Sequence, residues 1–330
     1  MSESGGMLVI GADFVEEFLV GKEVELIDLV ERVYLMHHNG LTENPDSYFL
    51  RFPESPRDRV IALPAHMDGL DLRAVGIKWI SSFPGNVESG LQRASAVVVL
   101  NDPDTGYAKA LVEGSRISAA RTAASAALAV RILHGAPTSV GVIGSGPIAQ
   151  ATLRFITALY PQPMPVLVHD LNSDSVARML QTQSDEYSET TLEGALSCDV
   201  VLFATSAGSP YVSASTRFRP GQLVLNISLR DLAPETLRDA NNIFDDVEHC
   251  LKANTTPHLL EQMDGSRDFV TGTLAEVHER AVTLDTALPT VFSPFGLGVL
   301  DLAVTQTLYD RAVADGSGVR VDGFHGNMGR

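Results

Sequence analysis

The chain has 330 residues, 24 Lys/Arg against 41 Asp/Glu and a formal net charge of −17, with 45% apolar and 20% charged residues. A balance this acidic argues against nucleic acid or an anionic membrane surface as a partner, and the composition and length suit a globular protein of two domains. No apolar run reaches the ~20 residues that span a bilayer. Met1-Ser2-Glu3-Ser4-Gly5-Gly6 lacks the basic and apolar regions of a signal peptide. The two cysteines, Cys198 and Cys250, give neither a disulfide framework nor a metal-ligand spacing. A cytoplasmic protein without a metal is the expectation.

In chain order, residues 7–37 read as a short strand, Met7 to Ile10, followed by helix. Asp13 is a candidate cap, and Ile27, Leu29, Val30, Val33 and Leu35 form an apolar stripe. From Tyr48 to Ser82 the pattern becomes strands, at 48–50, 59–63 and 74–80. Residues 95–101 and 107–112 flank Asp102-Pro103-Asp104-Thr105-Gly106, a strong hairpin turn. A long Ala-rich helix follows, from about Glu113 to Leu133. Strands are then expected at 140–143, 165–169, 199–204, 222–227, 242–246 and 289–293, alternating with helices. That rhythm predicts a doubly wound parallel sheet with its ligand at the carboxyl ends of the strands. A last helix runs from about Gly298 to Ala314, and the glycine-rich tail from Gly316 is expected to be loosely ordered.

The densest signal is Gly144-Ser145-Gly146-Pro147-Ile148-Ala149. It follows the apolar run Val140-Gly141-Val142-Ile143 and precedes an amphipathic stretch. Asp170 ends the next apolar run, 21 residues after Ala149. This is the strand, turn, helix, strand, acid order of a dinucleotide site. Gly144 allows the sharp turn and Gly146 lets the backbone approach a pyrophosphate. Ala149 permits close helix packing, and Pro147 occupies a first-turn position that needs no N–H. The amides that open the helix, Ile148 among them, face phosphate. A carboxylate at 170 accepts hydrogen bonds from ribose hydroxyls and repels a 2′-phosphate, so NAD is expected rather than NADP. Ala204-Thr205-Ser206 ends a later strand, where loops lie beside such a cofactor.

Before this unit, Arg51 stands between an apolar strand and a Pro-rich loop, Lys78 lies inside an apolar strand, and Arg121 sits in the Ala-rich helix beside Thr122. The segment from Arg51 to Arg121 holds nine Lys/Arg and eight Asp/Glu, an almost neutral stretch in a very acidic chain. Buried cations need partners. Substrate carboxylates and internal salt bridges are equally open as those partners.

Five segments resemble the ornithine cyclodeaminase/mu-crystallin family over nearly the whole chain. They are Gly76-Ile77-Lys78-Trp79-Ile80, the run from Val99 to Tyr107, Ser118-Ala119-Ala120-Arg121-Thr122-Ala123-Ala124, the glycine turn, and Asn226-Ile227-Ser228-Leu229-Arg230-Asp231. The resemblance implies a Rossmann-type doubly wound parallel sheet plus an α+β substrate-binding and dimerisation domain. The latter would span 1–121, completed by about 301–330, with an NAD-binding domain at 122–300. It implies a homodimer acting on a small amino-acid substrate. Arg51, Lys78 and Arg121 match positions that bind substrate, and Arg121 also reaches the cofactor. Asp231 matches the catalytic acid/base, with Lys78 able to polarise a carboxylate or share protons. Thr205 and the loop Ser228, Leu229, Arg230, Asp231 match cofactor contacts, Ser206 at the same strand end is a further cofactor-side candidate, and Phe295 matches a cavity-lining position.

The chain departs from the cyclodeaminases in three places. Leu229-Arg230 replaces a Gly-Gly, Glu235 replaces a Lys, and Arg93 replaces a cofactor-contacting Thr. These changes point away from ornithine cyclisation. Four further stretches, Arg59 to His66, Ile77 to Ile80, Arg93-Ala94-Ser95 with Leu100 to Pro103, and Asn226 to Ser228, point within the family toward NAD-dependent oxidative hydrolysis of N-(2-amino-2-carboxyethyl)-L-glutamate. The products would be L-2,3-diaminopropionate and 2-oxoglutarate, made for siderophore or peptide-antibiotic assembly. The three carboxylates of that substrate suit Arg51, Arg59, Lys78 and Arg121, and His66 is a possible second acid/base, more simply read as a polar loop residue. The alternatives are an ornithine cyclodeaminase, a ketimine or imine reductase, or a mu-crystallin-like cofactor-binding protein, which would not need Asp231.

Overall fold

The computed structural model describes residues 6–69, 71–182 and 185–326. In chain order the elements are β1 (Met7–Ile10), α1 (Ala12–Leu19), α2 (Glu23–His38), β2 (Thr42–Glu43), β3 (Tyr48–Phe52), β4 (Ser55–Gly69), β5 (Leu72–Ser82), β6 (Ala94–Asn101), β7 (Ala108–Glu113) and α3 (Ser115–Leu133). There follow β8 (Val140–Ile143), α4 (Pro147–Leu159), β9 (Val166–His169), α5 (Ser173–Leu180), β10 (Tyr187–Glu189), α6 (Leu192–Leu196), β11 (Val200–Phe203), β12 (Leu223–Asn226) and β13 (Asn241–Phe244). The chain ends with α7 (Val247–Cys250), α8 (Thr256–Asp264), β14 (Val270–Thr273), α9 (Leu274–His278), β15 (Thr290–Phe292), α10 (Gly298–Asp315) and β16 (Val319–Val321). These elements form two compact units. The first comprises the residues up to Arg121 together with those from Leu297, and the second runs from Thr122 to Gly296.

The first unit is built on a mixed sheet of order β16-β1-β7-β6-β5-β4-β2, with β3 also paired to β4. Its centre is an antiparallel meander, in which β4 pairs with β5 from Arg59↔Ser82 to Gly69↔Leu72 and β5 pairs with β6 from Val75↔Asn101 to Ser82↔Ala94. Strand alternation sorts the side chains. Ala74, Lys78, Val98 and Leu100 are buried on one face, while Trp79 and Val97 emerge on the other. Helix α10, apolar through most of its length, packs on β4, β5 and β6 and on α2. Gly76 lies where the backbones come close, since a Cβ there would meet the Val99 carbonyl oxygen at 2.1 Å.

The second unit is a parallel sheet of order β10-β9-β8-β11-β12-β15-β13-β14. The central strands β8, β11, β12, β13 and β15 are buried at every position, as a parallel sheet covered on both faces requires. The order reverses between β8 and β11, and in open α/β sheets ligands bind at the carboxyl ends beside such a switch.

Several sequence expectations need correction. The helix of residues 7–37 is two, broken at Val20-Gly21-Lys22 where Gly21 takes φ +72°. Asp13 does not cap it, because Gly11 is the N-cap and Asp13 falls in the first turn. In α2 the buried stripe includes Tyr34 and Met36, whereas Leu35 is only half-buried. Residues 319–321 of the tail form β16, antiparallel to β1 through Met7↔Val321, Leu8↔Arg320 and Val9↔Val319. The sequence reading missed β2, β10 and β14, all of two to four residues. Residues 327–330 of the tail lie outside the described residues.

Candidate active site

In the second unit the glycine turn connects β8 to α4. Gly144 has φ +95°, and a Cβ on it would lie 2.6 Å from the Ala204 carbonyl oxygen, so only glycine fits. Gly146 is the N-cap of α4 in extended conformation and Pro147 opens the helix, with no side chain capping the first-turn amides. A Cβ on Gly146 would meet nothing within 4 Å. An uncapped helix start beside an open glycine is the arrangement a pyrophosphate needs.

Asp170, after β9, leans over this turn. Its Oδ2 accepts from the Ser145 amide and hydroxyl, each at 2.8 Å, and its Oδ1 accepts from the Asn172 amide at 2.9 Å. Burial disfavours its charge, but those donors outweigh it and hold the carboxyl below its ordinary range. A carboxylate offers about four lone-pair directions. One is therefore left for a ribose hydroxyl in this arrangement, and a second if Ser145 turns aside.

Asp231 follows the carboxyl end of β12 and is fully buried. Its Oδ1 accepts from Thr205 Oγ1 at 2.5 Å and from the Tyr211 hydroxyl at 3.0 Å, and its Oδ2 accepts from Ser228 Oγ. Its backbone carbonyl also accepts from the Tyr211 and Val212 amides, at 3.0 and 2.9 Å. Burial, and then the neighbouring Asp231 charge, push the Tyr211 phenol far above its ordinary value, so Tyr211 remains a donor. Ser206, next to Thr205, is exposed.

Leu229 adopts φ +76°, a conformation that costs a residue with a Cβ about 1–2 kcal/mol. Its carbonyl is gripped by Thr256, through the amide at 2.8 Å and the hydroxyl at 3.0 Å. Arg230 donates to the carbonyls of Ala253 at 2.5 Å and Asn254 at 3.1 Å. The loop that carries Asp231 is thus braced from behind. Half-buried Phe295 is held by its own amide, which donates to Asp245 Oδ1 at 2.9 Å.

In the first unit Lys78 and Arg121 meet on one carboxylate. Lys78 Nζ donates to Asp301 Oδ2 at 2.6 Å and to Ser118 Oγ at 3.2 Å, while Arg121 Nε donates to Asp301 Oδ1 at 3.2 Å. Burial first, and then the Arg121 charge, lower Lys78 from 10.5 to about 8 against the opposing pull of Asp301. Of the two partners left open for these cations, an internal salt bridge is present.

Arg51 and Arg59 are direct neighbours across β3 and β4. By register Arg59 opposes Ser82 and Lys78 opposes Leu63, so Arg51, Arg59 and Lys78 share one face, with Arg59 and Lys78 about 13 Å apart along the strands. Arg93 donates to Ser82 Oγ at 2.8 Å, near the Arg59 end of this row. Thr122 is half-buried beside Arg121 in α3. His66 is in β4 rather than in a loop, and it points to the opposite face from Lys78.

A family model for the ornithine cyclodeaminase/mu-crystallin family matches residues 12–316. The chain belongs to that family. It is 27% identical over 327 residues to the N-((2S)-2-amino-2-carboxyethyl)-L-glutamate dehydrogenase of Staphylococcus aureus, covering 93% of this chain and 95% of the relative. Among solved structures it is similar to CmnK, with TM-score 0.87 and 26% identity, covering 99% of this chain and 100% of the other. It is also similar to the Thermococcus litoralis Delta(1)-pyrroline-2-carboxylate reductase in complex with NADH and L-proline, with TM-score 0.86 and 25% identity over 96% and 100% of the two chains.

Leu229 keeps a left-handed backbone that a glycine would adopt freely, with Thr256 and Arg230 supplying the restraint. Two residues escaped the sequence reading. Asp301 had a visible signal, a lone acid between Leu300 and Leu302 in an otherwise apolar helix start. Tyr211 had none, because only the fold brings residue 211 beside residue 231.

Proposed function

We propose that this protein is an NAD-dependent oxidoreductase acting on a CH–NH bond, and that its substrate is N-(2-amino-2-carboxyethyl)-L-glutamate. The observation that carries the substrate choice is the cationic content of the first unit. Arg51, Arg59 and Lys78 lie on one sheet face, and Lys78 is joined to Arg121 through Asp301. A tricarboxylate suits such a set, and paired arginines suit carboxylates in particular.

The uncapped start of α4 and Asp170 would hold NAD, which would supply the acceptor for hydride from the glutamyl α-carbon. The residues of the chain do the rest. Asp231 takes one proton from the protonated secondary nitrogen as the C=N bond forms and passes it to solvent, and the freed carboxylate then removes a proton from the water that adds to that carbon. Collapse of the adduct breaks the C–N bond, and Asp231 returns a proton to the leaving amine, giving 2-oxoglutarate and L-2,3-diaminopropionate. The hydroxyls of Thr205, Tyr211 and Ser228 hold the carboxylate in place between these transfers. Arg51, Arg59, Lys78 and Arg121 bind the carboxylates, and Phe295 lines the cavity. Arg93, Arg121, Thr122, Ser206, Leu229 and Arg230 belong on the cofactor side of the same reading.

A homodimer through the first unit is part of this proposal. Tyr48, Leu50, Trp79 and Val97 lie exposed on the sheet face opposite α10, an apolar surface that a second copy would cover.

The test is mass spectrometry of the products formed from NAD and a panel of N-substituted glutamates, with NADH absorbance followed in parallel. Formation of 2-oxoglutarate and 2,3-diaminopropionate supports the reading. Ammonia from ornithine, or NADH consumption by a cyclic imine, with no reaction of the glutamate conjugate, replaces it with cyclodeaminase or imine reductase activity.

A further inference from the structure

Asp301 has no exposed surface, and the reaction proposed above gives it no part. It sits in the first turn of α10, where the helix dipole favours a carboxylate. Each of its oxygens receives a different cation, Lys78 on Oδ2 and Arg121 on Oδ1. Lys78 has one further bond, to Ser118 on α3. The neighbouring strands bring Leu63 and Val98 to its register position, neither of which carries charge. The buried cluster therefore holds two cations and one anion, and its surplus positive charge is what a single carboxylate would neutralise.

We infer that Asp301 is the positioning residue of this cluster, fixing the directions of the Lys78 ammonium and the Arg121 guanidinium and keeping Lys78 charged for one carboxylate of the substrate. The inference rests on the reading of Lys78 and Arg121 as substrate ligands. A lysine ammonium is a point charge on a flexible stem, and a buried lysine gives up its proton unless an anion holds it. Burial and Arg121 already bring Lys78 down to about 8, and Asp301 is the group that opposes them. A neutral Lys78 would offer a carboxylate no charge.

The test is the pH dependence of kcat/KM for the best substrate of the panel, in the wild type and in Asp301→Asn. The wild type is expected to lose kcat/KM above about pH 8, where Lys78 discharges. In Asp301→Asn that limb should move down by about one unit or more, with KM near neutral pH raised about tenfold and kcat changed less. An unmoved limb overturns the inference, even if the variant melts earlier.

If the wild type turns over nothing in the panel, the substrate reading fails separately and stability reports on Lys78 instead. Below about pH 8 Lys78 is charged in both folded and unfolded chains. Between about 8 and 10.5 the unfolded chain binds more protons, so the contribution of Lys78 to stability rises with pH. Lys78→Met should lack that rise and Asp301→Asn should begin it at lower pH. An unchanged onset overturns the inference. Should Asp301→Asn fail to fold, Lys78→Met/Asp301→Asn, which removes two of the three charges and leaves Arg121, is expected to fold. A double variant that is equally unfolded also overturns it.

Discussion

A buried carboxylate surrounded by hydroxyls behaves differently from one facing a guanidinium, and the two units hold one of each. Asp231 is ringed by Thr205, Tyr211 and Ser228, neutral donors that hold it in place, which suits the acid/base role proposed for it. Asp231→Asn keeps the shape and removes the proposed base. NADH affinity, read by fluorescence titration, is expected to stay within a few-fold of wild type, while kcat falls by about 10²–10⁴. Tyr211→Phe deletes one donor to the carboxylate and should cost about 1.5–3 kcal/mol in urea unfolding, the usual range for a hydrogen bond to a charged group. Asp170 is the residue proposed to hold the cofactor ribose. Asp170→Ala should weaken NADH binding and narrow the preference for NADH over NADPH, both measurable in the same titration.

At the scale of elements, the turn from β8 into α4 has the least tolerance. Gly144→Ala would place a Cβ at φ +95° and 2.6 Å from the Ala204 carbonyl oxygen, so both strain and collision follow. The expected result is a stability loss of about 1–3 kcal/mol with NADH affinity reduced at least tenfold, checked by thermal melting and fluorescence. This turn was legible in the sequence because its chemistry is local, two glycines and a proline with an acid one strand later. The alternating strands 59–63, 74–80 and 95–101 were legible for the same reason, although β4 runs well beyond its apolar core at both ends. The short elements were not legible. β10 and β14 exist because a neighbouring strand offers its edge, and β16 because β1 does. None has enough apolar pattern of its own.

At the scale of the whole molecule, the proposed dimer has a separate readout. Tyr48 stands opposite Ala62, Ala62 opposite Trp79, and Trp79 opposite Val97, so one row, exposed at Tyr48, Trp79 and Val97, crosses three sheet pairings. Leu50→Lys with Trp79→Glu should convert a dimer to a monomer in light scattering after size exclusion, while leaving NADH binding by the second unit unchanged. A wild type that is already monomeric would remove the dimer from the proposal.

The sequence by itself determined the nucleotide turn and the alternation of strands and helices after residue 140. Each is written in neighbouring residues, where glycine freedom, side-chain periodicity and charge act over a few positions. Only the tertiary structure decided which groups meet. Lys78 and Asp301 are 223 positions apart and bonded at 2.6 Å, and Tyr211 reaches Asp231 across 20 positions. Such pairs form because burying a charge or a polar group without a partner is costly, and the partner is supplied by whichever element the packing of the core brings alongside.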